Sequence, residues 1–179
     1  LNAFVRKKLI YESCERSRDG TKEYHNAVFV GFDERGVARH AHKRGLYTQG
    51  KSYRGNIEGS DPRCSFHWTG TSDRLYVFEA PIDLLSYISL HPEGWQNHSY
   101  VALCGVSAAP IHHLLETQSQ VEEVTLCLDN DEAGHKAARR IATELLRDRN
   151  VTVSAEFPNQ KDWNDELLAT HQEESQGLT

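Results

Sequence analysis

The hydrophobic pattern changes near position 73. Before it, apolar runs are short and interrupted by polar residues; after it, compact apolar runs alternate with segments of helical period. AFVRKKLIYE, near the start, predicts a short helix packed on the body, and SCERSRDGTKEY after it has turn composition. AVFVGF (27–32) predicts a strand and DERG a turn. VARHAHKR (37–44) alternates small or apolar with polar residues and predicts the return strand of a hairpin. GLYTQGKSYRGNIEGSDPR, with four glycines and one proline, predicts an irregular connection. In the second half, LYVFEA (75–80), SYVALCG (99–105), a run within VEEVTLCLDND (121–131) and VTVSAEF (151–157) predict four strands, the first compact and apolar and the second buried. Between them, PIDLLSYISLH predicts a helix with Pro81 near its start and Ile82, Leu85, Ile88 and Ser89 on one period. Another helix is expected near 110–118. EAGHKAARRIATELLRDRN (132–150) predicts a long amphipathic helix with Ala137, Ile141, Leu145 and Leu146 on one side. A last helix is expected over 161–168.

Strands with continuous apolar runs, each followed by a helix, predict an α/β fold: a parallel sheet of about four strands with helices on both faces. The expected organisation is a basic hairpin region over 1–72, an α/β domain over 73–170 and a disordered tail over 171–179.

Composition narrows the class. With 38% hydrophobic and 26% charged residues the chain can build a core, which excludes wholesale disorder. No run approaches the roughly 18 apolar residues of a membrane span, so no membrane partner is expected. LNAFVRKKLI is too short and too basic for a secretory signal. Cys14, Cys64, Cys104 and Cys127 lie far apart without a C-x-x-C, which predicts a reduced, cytoplasmic protein. A start at Leu1 and the lack of Met predict a piece of a longer protein, so an upstream domain is an expected partner.

The net charge of −6 argues against a nucleic-acid binder, but it is unevenly spread. Residues 1–72 carry +5 and residues 73–179 carry −11, which suits a basic surface in one region and an acidic centre in another.

Ligands of open α/β sheets gather outside the carboxyl ends of the strands. Glu79 ends one predicted strand, and Asp129 and Asp131 end another. Three carboxylates on one rim repel each other, at about 4 kcal/mol per close pair at an effective dielectric near 20. A divalent cation removes that cost, and oxygen-only ligands suit Mg²⁺. The chemistry supported is phosphoryl transfer. Either aspartate could instead cap the following helix.

VFEAPIDLLS, LCLDNDEAGHKAARR and KDWNDEL, in this order and spacing, resemble the Toprim domain of bacterial-type primases, topoisomerases and related nucleases, over about residues 74–169. The primase-like branch is most similar, and the hairpin AVFVGFDERGVARHAHKRG resembles the strand pair that precedes Toprim there. The whole chain is similar to bacterial mobile-element Toprim proteins, which implies a Rossmann-like Toprim sheet and a role in DNA replication. The resemblance implies Glu79 as general acid or base and metal contact, and Asp129 and Asp131 as the D-x-D metal pair. It implies Lys161 as a stabiliser of phosphate charge, Asp162 as a further metal contact, and Mg²⁺ or Mn²⁺ as cofactor. Asp83, one helical turn after Glu79, is a metal candidate or a solvated helix position. Gly105 matches a glycine where tight backbone passage is useful, and Lys136 matches a basic residue that meets phosphate or pairs with an acid. Trp163 and Asn164 depart from the Pro-Asp usual in primases, which leaves the role of Asp165 open.

In the basic region, His42, Lys43, Arg44, Lys51 and Arg54 are the candidate nucleic-acid contacts, interleaved with Tyr47, Tyr53, Phe66 and Trp68. That mixture suits single-stranded DNA, with nucleotides and replication proteins as further expected partners. A charged, protected edge strand explains the same residues without a ligand. A zinc site from His40, His42, Cys64 and His67 has poor spacing and is not expected. The favoured function is Mg²⁺-dependent, primase-like nucleotidyl transfer. The alternatives are nuclease cleavage, a non-catalytic binding module, or an unrelated phosphatase-like or receiver-like domain. No tyrosine presents itself as a topoisomerase nucleophile: Tyr76 and Tyr87 are expected in the core.

Overall fold

The computed structural model describes residues 1–47 and 53–176, which divide into two units, 1–66 and 67–179. The first unit holds α1 (Asn2–Arg6), β1 (Ile10–Arg16), β2 (Glu23–Phe32), β3 (Ala38–Gly45) and β4 (Arg54–Asn56). The strands pair antiparallel in the order β1-β2-β3-β4. The β2–β3 hairpin is the one expected. β1 was not expected: its first three residues lie in the stretch read as the first helix, which ends at Arg6, and its last four in the polar stretch read as a turn; β4 was not expected either. Both are edge strands with mostly exposed side chains, so neither carries the apolar alternation that announces a half-buried strand.

The small core of this unit is aromatic. Phe66 stacks on Phe4 with ring centroids 5.6 Å apart and meets Phe29 edge-on at 5.3 Å. Phe66, expected as a base-stacking ring, is therefore a core residue at 0% exposure, and Tyr47 and Tyr53 are exposed; Trp68, in the second unit, is buried at 6% exposure. A side chain at Gly31 would lie 1.7 Å from the Cys64 carbonyl oxygen, so glycine lets the turn at Pro62–Cys64 cross β2 beside its bulge.

The second unit runs β5 (His67–Trp68), β6 (Arg74–Phe78), α2 (Pro81–Leu90), β7 (Ser99–Ala102), α3 (Ala109–Thr117), β8 (Glu123–Leu126), α4 (Glu132–Asp148), β9 (Thr152–Ala155) and α5 (Trp163–Gln176). The sheet order is β5-β7-β6-β8-β9. The four expected strands are parallel, and the two-residue β5 adds an antiparallel edge beside β7. Helix α5 extends to Gln176, six residues into the stretch expected to be a disordered tail.

Alternation along the strands sorts the two faces. Leu75, Val77, Val101, Val124 and Leu126 pack with Ile111 and Leu114 of α3 and with Ala138, Ile141 and Leu145 of α4. Each large aliphatic side chain so buried contributes about 1.5–3 kcal/mol. Leu146, expected on this stripe, is 61% exposed, because it stands about 100° around the helix from Leu145. Ser89 of α2 likewise faces solvent. Tyr76, Phe78 and Tyr100 form an aromatic layer on the other side with Tyr87 of α2, and Trp163 of α5 meets Tyr87 edge-on at 4.8 Å. Tyr76 and Tyr87 are structural, as expected. The Trp163 indole N–H donates to the Cys127 carbonyl at 3.0 Å, fixing the start of α5 under the end of β8.

Candidate active site

The parallel ladder sets the rim. Val77 of β6 pairs with Leu126 of β8, so the residues just beyond each strand emerge side by side. Glu79 follows β6 and Asp129 follows the extended Cys127–Leu128 segment beyond β8. The Asp129 N–H points at Glu79 Oε1, 3.4 Å away. Two residues later Asp131 caps α4, its Oδ1 accepting from the Gly134 N–H at 2.8 Å. The capping alternative thus holds for Asp131. Gly134 permits the geometry: a Cβ there would lie 2.1 Å from the Asp129 carbonyl oxygen.

The last segment closes on the same place. The Asn130 N–H donates to the Lys161 carbonyl at 2.8 Å, which ties the KDW turn to the end of β8. Asp162 Oδ1 accepts from the Asp165 N–H at 2.8 Å, so Asp162 opens α5 and Asp165 is an exposed first-turn residue.

Electrostatics single out Asp129. Its carboxyl is pushed up from 3.8 to about 7, first by burial, then by the charges of Glu79, Asp162 and Asp131, with Lys161 opposing. Its Oδ1 is buried and has no hydrogen-bond partner. An orphaned carboxylate oxygen among three other acids is the environment a hard cation relieves, since the donors are all oxygen. Glu79, Asp129, Asp131 and Asp162 thus fit a divalent metal. Their oxygens are not closed into a tight cage: among the described residues, the one set of three ligand side chains with all ligand atoms within 4.8 Å of one another is Cys14, Glu23 and His25.

Beside the rim, a cavity of about 450 Å³ is lined by Glu79, Gly105, Val106, Lys136 and Arg140, among others. Lys136 is exposed there. Arg140, which the sequence reading passed over, holds the Val106 carbonyl at 2.7 Å. Its signal was present in the helical spacing, because Lys136 and Arg140 are four apart and share a face.

Other expected site residues have partners of their own. Asp83, 5% exposed, accepts from the Asn164 N–H at 3.3 Å, a bond that joins α2 to the start of α5 two residues after Asp162. Gly105 does not provide a tight passage: a side chain there would meet only the Leu103 carbonyl at 4.0 Å, and the left-handed residue is Cys104, with φ 51°. His42 is buried, its Nδ1 2.7 Å from Asn56 Oδ1, and burial lowers its pKa. Lys43 is ion-paired with Glu15 on the opposite sheet face from His42 and Arg44. Arg44 and Arg54 stand directly opposite one another on β3 and β4. Lys51 lies outside the described residues.

Three kinds of known protein are similar to this chain. A family described as Toprim-like matches residues 76–167, just over half of the chain, and a family described as a protein of unknown function (DUF3991) matches residues 1–72. An uncharacterised plasmid protein of Bacillus anthracis is 24% identical over 86% of the chain and 51% of its own length, so the chain spans about half of that relative. The primase fragment of the bacteriophage T7 primase-helicase superposes with a TM-score of 0.66 at 21% identity, covering 98% of this chain and 69% of that one. A chain from the complex of T7 lagging-strand DNA polymerase with primase domains bound to an RNA/DNA hybrid and dTTP superposes with a TM-score of 0.59 at 19% identity, covering 98% of this chain and 84% of that one. At these identities the likeness establishes a shared fold.

Proposed function

Because the chain belongs to the Toprim-like family, we propose that its acidic rim serves primase-like nucleotidyl transfer on a single-stranded DNA template. Glu79, Asp129, Asp131 and Asp162 are the residues that hold Mg²⁺ or Mn²⁺ in this reading. When bound, such an ion supplies polarisation of phosphoryl oxygens and charge neutralisation. Glu79, held against the Asp129 N–H, is the carboxylate positioned to take the proton of an attacking hydroxyl. Lys161 and Lys136 bring ammonium groups to the phosphates, and Lys161 already acts on the Asp129 charge. In the other unit, the facing Arg44 and Arg54 are a like-charge pair that a backbone phosphate would relieve. One observation carries the reading: the buried, unpartnered Oδ1 of Asp129, in a carboxyl raised to about 7 first by burial and then by three neighbouring acids.

The direct test is nucleotide incorporation on a single-stranded template with Mg²⁺, comparing wild type with Asp129→Ala plus Asp131→Ala. The expected result is incorporation in the wild type and at least a hundredfold loss in the variant. Equal incorporation by both would overturn the assignment of the rim. Template cleavage that depends on the same residues would replace synthesis with hydrolysis as the reaction.

A further inference from the structure

The antiparallel pair β1–β2 carries a second set of ligand side chains, in the other unit from the acidic rim. Cys14 is directly opposed to His25 and Arg16 to Glu23. By the period of two, residues 12, 14 and 16 of β1 share a face with 23 and 25 of β2. His25 Nε2 lies 3.8 Å from Cys14 Sγ and 4.0 Å from Glu23 Oε2, and the ligand atoms of Cys14, Glu23 and His25 all lie within 4.8 Å of one another. Zinc bonds of about 2.0–2.3 Å in a tetrahedral site place neighbouring ligand atoms roughly 3.2–3.8 Å apart. The observed spacing is only slightly wider, within reach of a small side-chain adjustment.

The surrounding groups orient this set. Glu12 Oε1 lies 2.7 Å from His25 Nδ1, which favours the tautomer with the proton on Nδ1 and leaves the Nε2 lone pair facing Cys14 and Glu23. Arg16 holds Glu23 through Oε1 at 3.0 Å, which leaves Oε2 on the His25 side. Cys14 is exposed, whereas Cys64, Cys104 and Cys127 are buried. A thiol, an imidazole and one carboxylate, open to water, match a borderline-soft ion and not Mg²⁺.

We propose that Cys14, Glu23 and His25 bind Zn²⁺, with Glu12 as the outer carboxylate on the histidine and water in the fourth position. On binding, the Cys14 S–H bond breaks, its proton passes to water and the sulfur bonds the metal. The ion fastens the edge strand β1 to β2. None of this depends on the function proposed for the acidic rim.

The test is Co²⁺ titration of the reduced chain, followed by displacement with Zn²⁺. The expected result is a thiolate-to-cobalt charge-transfer band in the near ultraviolet at one equivalent, abolished by Zn²⁺. Cys14→Ser removes the band, His25→Gln weakens Co²⁺ binding at least tenfold, and Glu12→Gln keeps the band with roughly tenfold weaker binding. Asp129→Asn plus Asp131→Asn keeps the band unchanged, which separates this site from the rim. Hydrogen exchange gives a second reading: Zn²⁺ slows β1 amides in the wild type and not in Cys14→Ser. Absence of the thiolate band in the wild type, or its persistence in Cys14→Ser, would overturn the proposal.

Discussion

Replacing Asp129 by Asn makes the metal-free protein more stable, and increasingly so as pH rises. The Asp129 carboxyl titrates near 7 in the folded chain and near 3.8 when unfolded. The folded state therefore holds this proton more tightly, and ionising the group penalises folding. The penalty begins as pH passes about 4, grows to about 7 and is complete above that. The full displacement corresponds to about 4 kcal/mol as an upper bound. Asp129 is only half-buried, and solvent screening reduces the figure to about 2 kcal/mol. Asparagine keeps the shape and removes both the charge and its repulsion with Glu79, Asp131 and Asp162. Thermal unfolding in EDTA is the assay. Asp129→Asn is expected to unfold about 4–8 °C above wild type at pH 8, with a smaller gain at pH 5. A gain that stays flat across this range, or a loss at pH 8, would refute the account of a strained rim carboxylate.

Three packing predictions accompany it. Gly134→Ala drives a methyl into the Asp129 carbonyl at 2.1 Å, and should cost about 1–3 kcal/mol in denaturant unfolding and weaken Mn²⁺ binding at the rim. Ile141→Ala, at a fully buried position between α4 and the sheet, should cost about 2–5 kcal/mol by the same measurement. Trp163→Phe keeps the ring contact with Tyr87 but leaves the Cys127 carbonyl without its indole donor, and should cost about 1–3 kcal/mol with increased hydrogen exchange at the start of α5.

Legibility in the sequence follows burial. The parallel strands β6, β7 and β8 could be read because an inner strand buries apolar side chains in a compact run, and the edge strand β9 because Val151 and Val153 alternate with polar residues. β1 and β4 could not, because these edge strands are held by backbone pairing while their side chains face water. The meeting of Glu79 and Asp129 was legible because it follows from strand ends alone. The bond from the Asn164 N–H to Asp83 was not, because it depends on the docking of α5, which no spacing announces. Trp163 looked like a departure from a motif, and packing explains it as the residue that seats α5 on Tyr87. In the basic region, alternation put His42 and Arg44 on one face, yet could not say that His42 is buried there beside its cross-strand partner Phe29.

The central claim is that the strand-end acids hold one divalent ion together, and Mn²⁺ binding followed by electron paramagnetic resonance tests it most directly. The account predicts binding at the rim that tightens between pH 6 and pH 8, as Asp129 gives up its proton, and that is lost in Asp129→Asn plus Asp131→Asn while Cys14→Ser leaves it intact. Mn²⁺ bound equally by wild type and the double variant, or bound independently of pH over that range, would contradict it.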